Sequence, residues 1–262
     1  MATAGDIFRY VETLTGHPIM ADEGVQHGPA DRAVSDVTLC WMADPSAIEA
    51  AGASHSDLLI GHESLYYPYD VVNSAAPPPD WQDWQTNRQR AALLDRYDLT
   101  FLRLHGSLDE VCIFDDFAAQ LDLGTPVTVD GLVKIYEIEE CTLAQLIGRV
   151  KDKMGMATLR VSQPETMRRR IRRVGLPWGG LGLFVNVAYQ QRLIEQGCDA
   201  FIAGESDNYG FRFSAECGIP MIETSHEISE NPGLRHFAGM IADAFPAVRV
   251  HFFENSCAWS IA

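Results

Sequence analysis

The chain has no C-x-x-C pair. Its six cysteines (Cys40, Cys112, Cys141, Cys198, Cys217 and Cys257) are scattered without short regular spacing, which argues against a zinc knuckle and against a disulfide framework. Positive charge is scarce: 20 Lys and Arg stand against 36 Asp and Glu, a net charge of −16. Gripping a nucleic-acid backbone requires clustered cations, so nucleic acid is not an expected partner. The one basic cluster, Arg168, Arg169, Arg170, Arg172 and Arg173, reads as a solvated face or an anion contact. Long apolar runs are also missing. No stretch approaches the roughly 20 residues of a membrane span, and the N-terminus shows no charged segment leading into an apolar one. Ile7, Phe8, Val11 and Leu14 fall instead at helical spacing, as in a packed first helix. A cytoplasmic protein with no membrane partner is the expectation.

What is present is an ordinary globular composition, 47% hydrophobic and 10% aromatic over 262 residues, enough for one large domain or two small ones. Surplus acid suits a site that concentrates divalent cations, and equally suits solubility. Three segments share one grammar, an apolar strand-like run followed by polar residues and a helix. Leu58-Leu59-Ile60 follows a helical pattern over 45–53 and runs into Gly61-His62-Glu63. Residues 99–104 follow a helix over 86–97 and run into His105-Gly106-Ser107-Leu108-Asp109. Ile219 to Ile222 runs into Thr224-Ser225-His226, and Asn231-Pro232 reads as an N-cap with proline at N1, opening a helix to about Phe245. Repeats of this kind predict an α/β architecture with mixed sheets, and such folds gather ligand-binding groups beyond the carboxyl ends of strands. Strands over 132–138, 157–161, 172–176 and 199–203, with helices over 142–153 and 183–196, mark a second unit. The predicted organisation is one α/β domain from 1–126 with 222–262, and a second from 127–221.

The candidate chemistry lies at those strand exits. His62-Glu63 is either a local hydrogen-bonding pair or the start of a metal site. His226 and Glu230 give an H-x-x-x-E spacing, in which Glu230 also has a structural role available as a helix cap. Asp109 reads as a turn former, a cap or a ligand. Together, two histidines and three carboxylates suffice for two divalent cations, with carboxylates bridging and imidazoles terminal.

These residues resemble the NIF3-like family of dinuclear-metal proteins, whose members are often called type 2 GTP cyclohydrolase I. Leu58 to Leu65 is similar to its apolar strand ending in His-His-Pro, with His62 on the first histidine. His105 to Asp109 is similar to its His-Thr-Asn-Leu-Asp segment, Ala203-Gly204-Glu205 to its Thr-Gly-Glu turn, and Ser225 to Glu230 to its late Gly-His-x-x-x-Glu. Gly24 to Gly28 is similar to its early Gly-Leu-Gln-x-Gly, and Arg173 to Leu176 with the following Gly-rich turn resembles its Val-Ala-x-x-x-Gly-Gly stretch. The resemblance spans nearly the whole chain in order, with departures. Glu63 and Ser64 replace the second histidine and the proline, and Gly106 and Ser107 replace threonine and asparagine.

The resemblance implies His62, Glu63, Asp109, His226 and Glu230 as ligands of two divalent ions. A carboxylate in place of an imidazole tilts preference toward Fe or Mn over Zn. Alternatively, Glu63 binds nothing and one position is weakened. The implied activity is hydrolysis of a C–N bond in a small cyclic amidine or amide, with a small polar molecule as partner. Implied alternatives are iron delivery without turnover and a regulatory partner-binding role. Family members commonly form rings of subunits, so a homo-oligomer is expected. Proton transfer would fall to His105 or His27, each also readable as a packed histidine. Glu205 reads as a general base, an acceptor behind a ligand histidine, or a helix cap. Trp41, Tyr66, Tyr67 and Tyr69 are either a stacking surface or core. Pro177 to Gly182 is either a phosphate-binding turn or a tight packing turn.

Overall fold

The computed structural model describes residues 2–162 and 167–260. Along the chain come β1 (Ala2–Thr3), α1 (Ala4–Thr15), β2 (Gly24–His27), β3 (Ala33–Val34), β4 (Asp36–Cys40), α2 (Pro45–Ala53), β5 (Leu58–Gly61) and α3 (Gln85–Arg96). Next are β6 (Thr100–Arg103), α4 (Gly106–Leu108), α5 (Phe114–Gln120), β7 (Pro126–Asp130), β8 (Val133–Thr142) and α6 (Leu143–Met154). The rest are β9 (Arg160–Val161), β10 (Arg170–Gly175), α7 (Val187–Glu195), β11 (Ala200–Ala203), α8 (Asn208–Glu216), β12 (Met221–Glu223), α9 (His226–Ala244) and β13 (Arg249–Phe253). Among the described residues no helix is long and apolar enough to cross a membrane.

The chain forms two compact units, Met1–Ile113 with Gly233–Asn255, and Phe114–Pro232 with Ser256–Ala262. The reading from sequence sets the divisions near 126 and 222. Two of the observed divisions, at 113/114 and 232/233, fall inside continuous helix, and the third, at 255/256, follows β13. Residues 106–120 are helical throughout, with a π-turn over Asp109–Ile113 between α4 and α5.

The first unit carries a five-stranded sheet in the order β13-β4-β5-β6-β2. Its first four strands are parallel and only β2 runs against β6. Parallel strands covered on both faces read as unbroken apolar runs, and Leu58–Gly61 is buried at every position. Leu59, Phe101, Ile48 and Leu94 pack one core beside it. Helix starts are set by capping. Asp44 accepts a hydrogen bond from the Ala47 amide with Pro45 in the first turn of α2, and Thr3 and Asp6 form a reciprocal capping box on α1.

The second unit holds a six-stranded mixed sheet, β7-β8-β10-β11-β12-β9, parallel only across β10-β11-β12. Ile135, Leu193, Phe201 and Met221 form its core cluster. Within the basic cluster, Arg170 and Arg172 on β10 are exposed and paired: Arg170 meets Glu140 at 2.6 Å and Arg172 meets Glu137 at 2.5 Å on the neighbouring β8.

One expectation needs correction. Asn231-Pro232 does not open the last helix; α9 begins at His226 and contains Pro232. Proline's fixed φ suits a helix, but inside α9 Pro232 forgoes the bond to the Ile228 carbonyl and crowds that carbonyl with its ring. The true start signal is Ser225, at φ +79°. His226 and Glu230 therefore share a helix face as i and i+4.

Candidate metal centre

In the first unit His62 is the first residue beyond β5. Its ring Nδ1 lies 3.0 Å from the Leu104 carbonyl oxygen. A carbonyl only accepts, so the ring proton sits on Nδ1 and the Nε2 lone pair faces away. That Nε2 lies 3.9 Å from Oδ1 of Asp109, with the His62 side chain fully buried. The separation is too long for a hydrogen bond and close enough for one ion to draw both atoms in. Glu63 is buried, and its amide donates to the Trp41 carbonyl at 2.8 Å.

His105, between β6 and α4, completes a cluster in this unit. Donor atoms of His62, Glu63 and His105 all lie within 4.8 Å of one another, a group able to hold a metal ion. His105 is fixed by two adjacent acids that precede β2. Nδ1 of His105 is 2.8 Å from Oδ2 of Asp22. Glu23 accepts from the His105 amide at 2.5 Å, the Ser107 amide at 2.9 Å and the Ser107 hydroxyl at 2.6 Å. The fully buried Arg103 reaches Asp22 at 3.2 Å and donates to the Tyr69 hydroxyl at 2.9 Å. The His105 hydrogen bond, with the Arg103 cation beside it, holds the Asp22 carboxyl below its ordinary range against the opposing effect of burial. His27 is engaged elsewhere, with Asp95 at 3.1 Å and the Tyr66 hydroxyl at 3.3 Å. It joins none of the metal-donor groups among the described residues.

In the second unit His226 opens α9. Its Nε2 is 3.3 Å from Oε1 of Glu230, and its Nδ1 is 3.0 Å from Oε2 of Glu205, two residues beyond β11. The glycine-rich turn is the wall behind this pair. A β-carbon on Gly179 would stand 2.0 Å from the Glu230 carboxylate and 3.1 Å from His226 Nε2. Two donors each roughly 2.1 Å from an ion lie about 3.0–3.5 Å apart at tetrahedral to octahedral angles, and the His226–Glu230 distance fits. Deeper in the unit Glu223 pairs with Arg160, and its carboxyl is pushed up to about 7, burial outweighing the cation.

The two imidazoles share a pattern. Each turns Nδ1 to an acceptor, the Leu104 carbonyl or the Glu205 carboxylate, and directs Nε2 toward a carboxylate. Ligand histidines are oriented in this way by outer partners. The donor sets thus fit divalent cations, and the chain carries His, Glu and Asp groups that could bind them.

The model of the Duf34/NIF3 (NGG1p interacting factor 3) family matches residues 19–257. The chain belongs to this family. Among curated proteins it is 26% identical over 229 residues to a Neisseria meningitidis protein named GTP cyclohydrolase 1 type 2 homolog, with 85% of each chain covered. Among solved structures it is similar in fold to Staphylococcus aureus protein SA1388, with TM-score 0.80, 14% identity, and 100% of this chain and 99% of that one covered. A Bacillus cereus protein related to NIF3 gives 0.81 at 12% identity over 100% and 99%, and reduced HcgD from Methanocaldococcus jannaschii gives 0.74 at 14% over 97% and 98%.

In this NIF3-family chain, several residues around the candidate donors escape a reading of the sequence. Asp22 and Glu23 act on residues more than 80 positions away, and no local pattern announces that. Tyr69 was readable only as one of several aromatics; its hydroxyl is 3.3 Å from His105 Nε2. Tyr66 is core, packed at 5.4 Å between ring centroids on Trp81, and exposed Tyr67 lies under Arg90.

Proposed function

We propose that this NIF3-family protein is a dinuclear-metal hydrolase that opens a C–N bond in a small polar heterocycle of the cyclic amidine or amide type. The observation that carries the reading is the shared orientation of His62 and His226, each with Nδ1 occupied by an acceptor and Nε2 set beside a carboxylate. The name of the Neisseria relatives, GTP cyclohydrolase 1 type 2 homolog, supplies the substrate class.

The proposed ligands are the five the family resemblance implies, His62, Glu63, Asp109, His226 and Glu230. Three of these five donors are carboxylates, which favours Fe or Mn ahead of Zn. When bound, such a pair of cations lowers the pKa of a water from 15.7 toward roughly 7 and polarises the carbon under attack. The chain's own groups set the geometry. The Leu104 carbonyl and the Glu205 carboxylate lock the two rings in one tautomer, and Gly179 leaves room for Glu230. Glu205 is an orienting acceptor in this reading. His105 keeps its place beside the first-unit donors, and His27, tied to Asp95 and Tyr66, is left out.

The test is metal analysis of the purified chain and of His226→Ala and Asp109→Ala, followed by incubation of the loaded protein with purine nucleotides and cyclic amides. Mass spectrometry should detect a ring-opened product, one water heavier, that both variants fail to make. Full metal content in both variants removes the ligand assignment. A loaded protein that surrenders its metal to mild chelation and opens no ring is a delivery protein instead.

A further inference from the structure

From the geometry of the first unit we infer that His105 is itself a metal ligand, joining His62 and Glu63 around one divalent ion. The inference rests on the metal-binding part of the reading above and adds a donor to it.

Three observations converge. First, the donor atoms of His62, Glu63 and His105 fall within 4.8 Å of one another, and the two imidazole rings have centroids 4.9 Å apart. Second, the His105 ring turns Nδ1 to an acceptor, so that its neutral form presents Nε2 as the metal-binding nitrogen. Nδ1 faces the Asp22 carboxylate at 2.8 Å and donates to it. Nε2 faces the Tyr69 hydroxyl at 3.3 Å. Arg103 donates to that hydroxyl oxygen at 2.9 Å, which leaves the phenol's own proton available to Nε2. Third, the residue is pre-positioned: Glu23 clamps the amides of His105 and Ser107, and a site held by such outer bonds loses little freedom when an ion arrives. A carboxylate, an imidazole and an ion in series is the arrangement that raises imidazole basicity toward metal. The Tyr69 hydroxyl, at a long 3.3 Å, is then a competitor for Nε2, and an ion replaces it there.

The experiment uses the full chain loaded with zinc as a spectroscopic probe. X-ray absorption on the wild type should count three imidazoles shared over two ions, where His62 and His226 alone would supply two. His105→Ala should lose one imidazole's scattering and weaken zinc at one position by about 100-fold or more, above the 10–100-fold typical of outer-shell losses. In His105→Gly, free imidazole should restore binding. Tyr69→Phe should bind zinc as tightly as wild type or more tightly. Unchanged scattering and affinity in His105→Ala overturn the inference while leaving the five-ligand reading intact, and so does a Tyr69→Phe protein that loses zinc by the same factor as His105→Ala. A wild type that takes up no metal overturns both. If His105→Ala fails to fold, the wild-type imidazole count decides: two per pair of ions sinks the inference and three sustains it.

Discussion

Gly179 and Glu230 are fitted to each other: a β-carbon on the glycine would lie 2.0 Å from the carboxylate Oε1, and Gly179 sits at φ +50°. Alanine at this position meets two obstacles of different kinds. The left-handed backbone costs about 1–2 kcal/mol for a side chain with a β-carbon. The clash is with the far end of Glu230, so the carboxylate yields before the backbone does. Gly179→Ala should fold, melt a few degrees lower, and hold less metal than wild type. Atomic absorption and a thermal melt on the same sample check this. Full metal content would mean that the carboxylate is not needed in its present place.

Glu205 accepts from Nδ1 of His226 at 3.0 Å, which fixes the tautomer that presents Nε2. Glu205→Ala should weaken metal binding by roughly 10–100-fold without emptying the site, as expected for an outer-shell partner. Glu205→Gln, which keeps an acceptor oxygen, should lose less. Competition against a fluorescent chelator ranks the three proteins. A loss in Glu205→Ala as complete as in His226→Ala would promote Glu205 to a direct ligand.

How much of this was legible in the sequence varies with the physics. Helix α2 spans Pro45–Ala53 as the pattern predicts, because Asp44 and Pro45 are start signals that act locally, Asp44 through the Ala47 amide. Strand β5 was plain because burial on both faces leaves an unbroken apolar run, and β6 carries the same signal only at Phe101 and Leu102. The start of α9 was obscured because Asn231-Pro232 is a stronger local signal than Ser225, although serine is itself favoured directly before a helix. The strand-exit rule led to His62, Asp109 and His226. It could not reveal Asp22, whose role depends on β2 lying antiparallel to β6 and bringing residue 22 alongside residue 105. A choice between a phosphate turn and a packing turn for Pro177 to Gly182 likewise needed coordinates, because only they show Gly179 backed against His226 and Glu230.

The buried acid Glu223 makes a prediction about pH. Its side chain is 1% exposed, and burial lifts its carboxyl from 4.5 to about 7 despite the Arg160 cation. Between those values the native state holds a proton that the unfolded chain has released. Stability from this group is therefore complete below pH 4.5 and is lost as pH rises through about 7. Measured by denaturant unfolding in chelator, wild type should fall relative to Glu223→Gln across this window, at no more than about 1.4 kcal/mol per pH unit. A parallel pair of curves, or one diverging in the opposite sense, would show that Arg160 dominates and keeps Glu223 ionised.

Two glycines in α9 should respond to alanine with opposite signs. Gly239 has nothing within 4 Å of where a β-carbon would go. Alanine there adds helix propensity and removes backbone freedom from the unfolded chain, so Gly239→Ala should stabilise by about 0.5–1 kcal/mol. Gly233, six residues earlier, packs directly on the π-turn, and its β-carbon would stand 2.4 Å from the α-carbon of Ile113 and 2.9 Å from the Ile113 amide nitrogen. Backbone cannot swing aside as a carboxylate can. The same propensity gain is then outweighed by overpacking of about 1–3 kcal/mol, and Gly233→Ala should melt below wild type. Asp109 begins that π-turn, so a shift of Ile113 should also lower metal content, which the exposed Gly239 substitution should leave untouched. Equal and positive effects on melting at both sites would mean that the close approach at Gly233 does not exist in solution.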